Sequence, residues 1–175
     1  MRNTAFDKNT VEFVTVASRF CTYIAQHEWD SREDFIKVMT KLLPLLYLKA
    51  SLLDDMPEDE NYIPISYVTE ELYESIRCAL AELLGEKDSY LELYDDGACL
   101  SEEVQTHTIS EDLADLYQPL QNYLESYRSG IEENMNNATA EVRSTFTMYW
   151  GQRLISSLGA MHKIIYNAGV GDYCA

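Results

Sequence analysis

The chain has 175 residues, of which 46% are hydrophobic and 25% charged, and its formal net charge at pH 7 is -17. This length and composition predict one folded domain over residues 1–175 and exclude a fibrous or wholly disordered protein. The charge excludes nucleic-acid phosphates and anionic membrane surfaces as partners, because like charges repel.

The first part of the chain predicts two helices and an acidic loop. Apolar residues over 11–25 recur every three or four positions, which indicates a largely buried first helix. Ser31 begins a second helix, whose apolar stripe continues through Pro44 to Leu53. The segment 54–66 contains two prolines and no helical period, so it is predicted to be a loop.

The middle of the chain predicts a third and a short fourth helix. Thr69 precedes two glutamates and an apolar stripe, which is typical of a helix N-terminus, and Gly85 ends the stripe. A short helix is predicted over 88–94, followed by an acidic loop over 95–108.

The last part of the chain predicts two long helices. Thr108 or Ser110 begins the fifth, whose stripe continues to Met135 and is broken by the asparagines at 136–137. The last helix begins near Thr139. No strand is expected, and the predicted fold is all-α: a single-domain up-and-down bundle of about six helices that ends in a long helical hairpin.

The net charge is concentrated in the middle of the chain. Residues 1–50 and 136–175 each carry a net charge of +1, whereas residues 51–135 carry -19. Such a field attracts basic partners. A charged surface can also serve solubility alone, and this alternative stays open.

The chain predicts a cytoplasmic location. The first apolar stretch is interrupted by Glu12 and Arg19, unlike the apolar region of a signal peptide. No apolar run approaches the roughly 18 residues of a membrane-spanning helix. The four cysteines are widely spaced without a CxxC pair, which favours free thiols in a reducing compartment.

Common motifs for cofactors and metals are absent from the sequence. It has no GxGxxG, P-loop, HExxH or EF-hand pattern. None of His27, His107 and His162 follows a glutamate by three residues, as the histidines of di-iron bundles do. Glu103 and His107 are four residues apart but lack a second histidine nearby. We therefore expect no metal and no cofactor.

Two cations interrupt apolar stripes and indicate a polar cluster. Lys49 and Arg153 stand where the helical period places apolar side chains, and a buried cation requires a partner. The candidate cluster comprises Lys49, Asp112, Asp115, Tyr149, Gln152, Arg153 and His162. It is either a structural ion pair that fixes helix register or a ligand or catalytic pocket.

Five stretches carry a family resemblance: VEFVTVASRFC near the start, LLPLLYLKA at 42–50, GEKDSYLE at 85–92, SEDLADLYQ at 110–118 and YWGQRL at 149–154. They resemble the bacterial domain of unknown function numbered 5063. The resemblance covers nearly the whole chain and implies a helical protein from bacteria. It implies no activity, ligand or catalytic residue.

Two functions remain after these exclusions. The first is a non-enzymatic binding protein that uses an acidic face around residues 54–60 and 95–103 to meet a basic protein partner. The second is an enzyme or small-ligand binder whose anionic ligand is held by Lys49 and Arg153 inside the bundle. A nucleic-acid mimic has the right charge and no other support. The oligomeric state does not follow from the sequence.

Overall fold

A computed structural model describes residues 4–57, 59, 61–94 and 103–166. The described chain is mostly helical, with one pair of strands. Its helices are α1 Lys8–Ala25, α2 Arg32–Ser51, α3 Glu70–Leu84, α4 Ile109–Arg128 and a long α5, which consists of Glu132–Thr145, a π-helical turn Phe146–Trp150 and Gly151–Tyr166. Short 3-10 turns cover Thr4–Phe6 and Gly85–Lys87.

Four of the five helices begin at a side-chain cap. The side chains of Asp7, Ser31, Thr69 and Thr108 each accept a hydrogen bond from a main-chain N–H two or three residues later. Each bond satisfies a donor that the first helical turn leaves unpaired. Ser31 and Thr69 are confirmed as starting residues, and Thr108 rather than Ser110 caps α4.

The predicted fourth helix is wrong, because residues 88–94 do not form one. Instead β1 Ser89–Tyr94 pairs antiparallel with β2 Glu103–Thr108, with Ser89 opposite Thr108. Within the described ranges, the bundle therefore has five helices rather than six. The predicted loop over 95–108 is also wrong from residue 103 onward, and 95–102 lie outside the described residues.

The hairpin departs from the usual strand pattern, which explains why periodicity did not predict it. Its outward side chains are apolar: Leu91 and Val104 are 67% and 56% exposed. Its inward side chains are Tyr90, Glu92 and His107, which contact α4 and α5. A strand that is apolar outside and polar inside inverts the pattern by which half-buried strands are recognised.

The boundary between the last two helices lies earlier than predicted. Gly130 has a φ of 69°, a left-handed conformation that favours glycine and ends α4 at Arg128. Ile131 is 57% exposed, so the apolar stripe that seemed continuous breaks there. The asparagines at 136–137 lie inside α5 and do not break it.

A π-helical turn interrupts α5 at Phe146–Trp150. A Cβ atom on the next residue, Gly151, would lie 2.5 Å from the main-chain oxygen of Phe146 and 2.9 Å from its ring. Gly151 therefore permits a close approach that any other residue would obstruct. π-Helical turns are rare and often occur at functional sites.

The core is centred on α4, which packs against α1, α3 and both halves of α5. α2 packs against α1 and the second half of α5. None of the helices within the described ranges is both long and apolar enough to cross a membrane. The largest side chains that are fully buried include Phe13, Phe20, Phe35, Met39 and Trp150.

Candidate functional site

A cleft of about 570 Å³ opens where β2 meets α4 and the middle of α5. Strand β2 contributes two polar side chains, α4 three carboxylates, and α5 the residues around the π-helical turn. The lining residues are Gln105, His107, Glu111, Asp112, Asp115, Met148, Tyr149, Gln152 and Arg153.

A buried ion pair forms the floor of this cleft. Arg153 Nη1 lies 3.5 Å from Asp112 Oδ1, and the two side chains are only 14% and 3% exposed. The hydroxyl of Tyr90, on β1, donates a short hydrogen bond to the other oxygen of Asp112. The pair thus joins α4 to α5, and the hairpin closes over it.

Burial dominates the protonation of Asp112. It raises the pKa of this carboxyl to about 7, although the Tyr90 hydrogen bond and the Arg153 charge both favour the ionised form. Burial also opposes the charge of Arg153, but the Asp112 and Glu92 carboxylates outweigh it and raise the pKa of the guanidinium. Asp112 is therefore a carboxyl group able to gain or lose a proton near neutral pH.

Glu92 and His107 extend the network toward the hairpin. Arg153 Nη2 donates to Glu92 Oε2 over 3.4 Å, and Ser156 donates to the other oxygen of Glu92. Arg153 Nη1 lies 3.2 Å from His107 Nδ1. A guanidinium only donates, so Nδ1 accepts and the ring proton of neutral His107 is on Nε2. Nε2 is buried without a hydrogen bond to any described residue and lies 3.6 Å from Glu92 Oε2.

Asp115 is held by tyrosine hydroxyl groups instead of a cation. Tyr73 donates to its Oδ1 over 2.7 Å, and Tyr149 donates a short hydrogen bond to its Oδ2. Burial, followed by the bond to Asp115, raises the pKa of both tyrosines, so both remain neutral donors. Asp115 therefore lies at the side of the cleft, and no cation of the described chain forms an ion pair with its carboxylate.

Five of the seven residues of the sequence-predicted cluster line the cleft together: Asp112, Asp115, Tyr149, Gln152 and Arg153. Gln152 donates to Ser156 over 3.3 Å. Whether the cluster is structural or binds a ligand stays a prediction.

The other two members lie elsewhere. Lys49 does not approach the cleft, because its Nζ binds Glu12 Oε2 on α1 over 2.6 Å. The His162 ring lies 4.7 Å from the Tyr166 ring at a tilted angle, further along α5 than Arg153. Helix α2 therefore contributes no side chain to the cleft, and Lys49 and Arg153 do not lie together as the ligand hypothesis expected.

Four side chains of the network were missed by sequence reasoning: Tyr73, Tyr90, Glu92 and His107. Three of them alternate along the strands, so a strand assignment would have placed them on one face. A weak signal was present in the β-branched Val104, Thr106 and Thr108.

The predicted acidic face is only partly described. Asp54 and Asp55 are exposed, and Asp55 lies 3.6 Å from Arg143. Residues 58, 60 and 95–102 lie outside the described residues. Within the described ranges, no three histidine, cysteine or acidic side chains are grouped so that they could hold a metal ion.

The cleft carries more carboxylates than cations. Arg153 is shared between Asp112 and Glu92, so its charge is already balanced. Glu111 and Asp115 form no ion pair with any described residue. A positively charged group would find two uncompensated carboxylates here, whereas an anion would meet net repulsion.

The fold and the cleft define a mostly helical protein with a strand hairpin closing a buried Arg–Asp pair. The model of the family "Domain of unknown function (DUF5063)" matches residues 4–167, and the chain belongs to this family. The crystal structure of protein BF1032 from Bacteroides fragilis is similar, with a TM-score of 0.83 and 40% sequence identity. The alignment covers 93% of this chain and 96% of that one. No curated protein matches the chain. Neither the family nor this structure carries an assigned function.

Proposed function

We propose that this chain is a non-enzymatic binding protein whose acidic cleft receives a basic group of a partner protein. The observation that carries the proposal is the pair of carboxylates, Glu111 and Asp115, that line the cleft without a cation from the described chain. Complementary charge across an interface speeds association and selects the partner.

The central charge of the chain supports the same proposal. Residues 51–135 carry a net charge of -19, and both carboxylates lie within this range. The field of the whole segment attracts a basic partner over about a Debye length, and the cleft supplies the short-range contact. Within the predicted acidic face at 54–60 and 95–103, the described side chains of Asp54, Asp55 and Asp59 are exposed and add negative charge outside the cleft.

A fluorescein-labelled lysine oligomer tests the cleft directly. Its affinity, measured by fluorescence anisotropy, should fall about tenfold in the double variant Glu111→Gln/Asp115→Asn, because the two uncompensated carboxylates are lost. A matched control, Glu82→Gln/Glu86→Gln, removes the same charge from exposed positions at the end of α3 and should change the affinity little. Equal losses in both variants would show that the net charge, not the cleft, binds the oligomer.

The alternative, an enzyme or a small-ligand binder with an anionic ligand, is favoured by one observation. Asp112 has a pKa of about 7 beside His107 in a cleft, which suits proton transfer. The cleft, however, lacks the second cation that this alternative requires, because Lys49 is bound to Glu12. Inorganic phosphate is the direct probe: saturable binding that disappears in Arg153→Met would favour this alternative over a basic partner.

A further inference from the structure

A second pocket, of about 230 Å³, lies on the other side of Tyr149, between α4 and the first half of α5. Its walls are mostly apolar and include Pro119, Ala138, Val142 and Trp150. This volume exceeds the roughly 150 Å³ of a cavity known to hold benzene. The pocket is therefore large enough for one ring with a small substituent, about nine non-hydrogen atoms.

Irregular stretches of two helices meet at this pocket. Pro119 in α4 has no N–H and cannot complete the helical bond to the carbonyl of Asp115. In α5 the π-helical turn contributes Tyr149 and Trp150 to the pocket. The pocket thus lies where both helices depart from regular packing, and Gly151 makes one of these departures possible.

Asn122 supplies a directed polar group in this apolar setting. Its Oδ1 accepts two main-chain hydrogen bonds, from Tyr67 and Val68, each 2.9 Å long. These two donors fix the orientation of the amide. Asn122 Nδ2 makes no hydrogen bond to another described residue, and Asn122 lines the pocket. A ligand here meets mostly apolar walls, the N–H donor of Asn122, and the polar side chains of Asp115, Gln118 and Glu141.

We propose that the pocket between Pro119 and the π-helical turn binds a small neutral ring compound that accepts a hydrogen bond from Asn122. The carboxylates of Asp115 and Glu141 also line the pocket and disfavour an anion, and both already have partners within the protein. The apolar walls favour a neutral ligand, because desolvation of an ion without a paired charge is costly. A carbonyl group on an aromatic ring fits both the volume and the donor. The two sites share Asp115 and Tyr149, but Asn122 lines only this pocket and Glu111 only the cleft, so either proposal can fail alone.

Acetophenone is the probe, and isopropenylbenzene, which replaces its carbonyl oxygen with a methylene group, is the matched comparison. The chain has two tryptophans. The indole N–H of Trp150, bonded to the carbonyl of Val142, lies at the pocket, whereas that of Trp29 is bonded to the carbonyl of Tyr23. In a 15N correlation spectrum of the 175-residue chain, acetophenone should shift the Trp150 signal saturably and leave Trp29 unchanged.

Two variants test the site. Asn122→Asp keeps an oxygen for Tyr67 and Val68 but removes the donor, so acetophenone should bind roughly tenfold more weakly and isopropenylbenzene equally well. Thr145→Leu adds bulk at the rim and should weaken both ligands roughly tenfold. Thr147→Leu, an exposed threonine in the turn that does not line the pocket, is the matched control and should bind both ligands as the wild type does.

Several results would overturn the proposal. They are the absence of a saturable Trp150 shift, equal shifts at Trp29, equal affinity for the two ligands, or unchanged acetophenone binding in Asn122→Asp. If Thr145→Leu fails to fold, Ala138→Leu fills the pocket from a position about two turns earlier in α5 and should produce the same loss. Wild-type affinity in a folded filling variant would place the ligand elsewhere.

Discussion

Two ion pairs in this protein each join a cation from an apolar helical stripe to a carboxylate on another helix, yet they differ in distance and in exposure. Lys49 Nζ lies 2.6 Å from Glu12, with side chains 20% and 37% exposed. Arg153 Nη1 lies 3.5 Å from Asp112, with side chains 14% and 3% exposed. The closer pair is thus the more exposed one.

The pKa shifts of the two carboxyl groups are opposite in sign. The hydrogen bond from Lys49 lowers the pKa of Glu12, as expected for a carboxylate beside a cation. Burial raises the pKa of Asp112 to about 7, despite Arg153 and Tyr90. The comparison shows that an adjacent cation does not decide the protonation of a carboxyl group when its desolvation is nearly complete.

The largest expected effect is the loss of Arg153. Arg153→Met keeps most of the apolar length and removes the charge, which leaves Asp112 buried without a cation. The free energy of unfolding, from urea denaturation, should fall by about 3 kcal/mol or more. Adding Asp112→Asn should recover more than about 1 kcal/mol, because the isolated charge is then gone. Strictly additive losses would mean that the two side chains do not interact.

The next effect is the pH dependence that Asp112 imposes. The folded chain holds this proton up to about pH 7, whereas the unfolded chain releases it near pH 4. Stability from this group is therefore fully present below about pH 4 and is lost as the pH rises through about 7. Over this range the wild type should lose roughly 4 kcal/mol relative to Asp112→Asn, at 1.36 kcal/mol per pKa unit.

Urea denaturation of both proteins between pH 5 and pH 8, which covers the upper part of this range, measures most of that difference. Groups other than Asp112 titrate in both chains and cancel in the comparison. A difference that stays constant across this range would show that Asp112 ionises in the folded protein as it does in the unfolded one.

The sequence was sufficient to propose the partner of Arg153, but not the partner of Lys49. Asp112 and Asp115 open a helix, and Arg153 interrupts an apolar stripe, so local pattern placed them together before the fold was known. Nothing in the pattern of Lys49 distinguishes Glu12 from the two aspartates, because the choice depends on which helices α2 packs against. Long-range packing decides such pairings, and helical periodicity does not encode it.

The hairpin was not predicted from the sequence, for a different reason. Its polar side chains, Tyr90, Glu92 and His107, point inward to meet Arg153 and Asp112, while Leu91 remains exposed. Hydrophobic periodicity assumes that apolar side chains face the core. That assumption holds for Phe35, Met39 and Leu46 of α2, which are fully buried, and it fails where the chain closes a polar site.

A smaller effect is expected from the loss of Lys49. Lys49→Met removes the partner of Glu12, which is exposed enough to be solvated by water. The free energy of unfolding should fall by less than half the loss in Arg153→Met, because water replaces the missing cation. The pH dependence should also have the opposite sense: the Glu12 contribution is present at neutral pH and is lost as the pH falls through its lowered pKa. A loss as large as that of Arg153→Met would remove the distinction between the two pairs.

The smallest effect is the response of the two pairs to sodium chloride. Raising it from about 0.1 M to about 1 M shortens the Debye length from about 10 Å to about 3 Å, which screens exposed charges far more than buried ones. The wild type, with a net charge of -17, should become more stable, because repulsion among its central carboxylates is screened. The deficit caused by Lys49→Met should shrink at high salt, whereas that caused by Arg153→Met should not change. Urea midpoints of the three proteins at both concentrations give these differences.

A wild-type midpoint that does not move would mean that the central carboxylates are already paired or too far apart to repel. A salt-dependent deficit in Arg153→Met would mean that water reaches the Asp112 pair, in which case burial could not be the cause of its raised pKa.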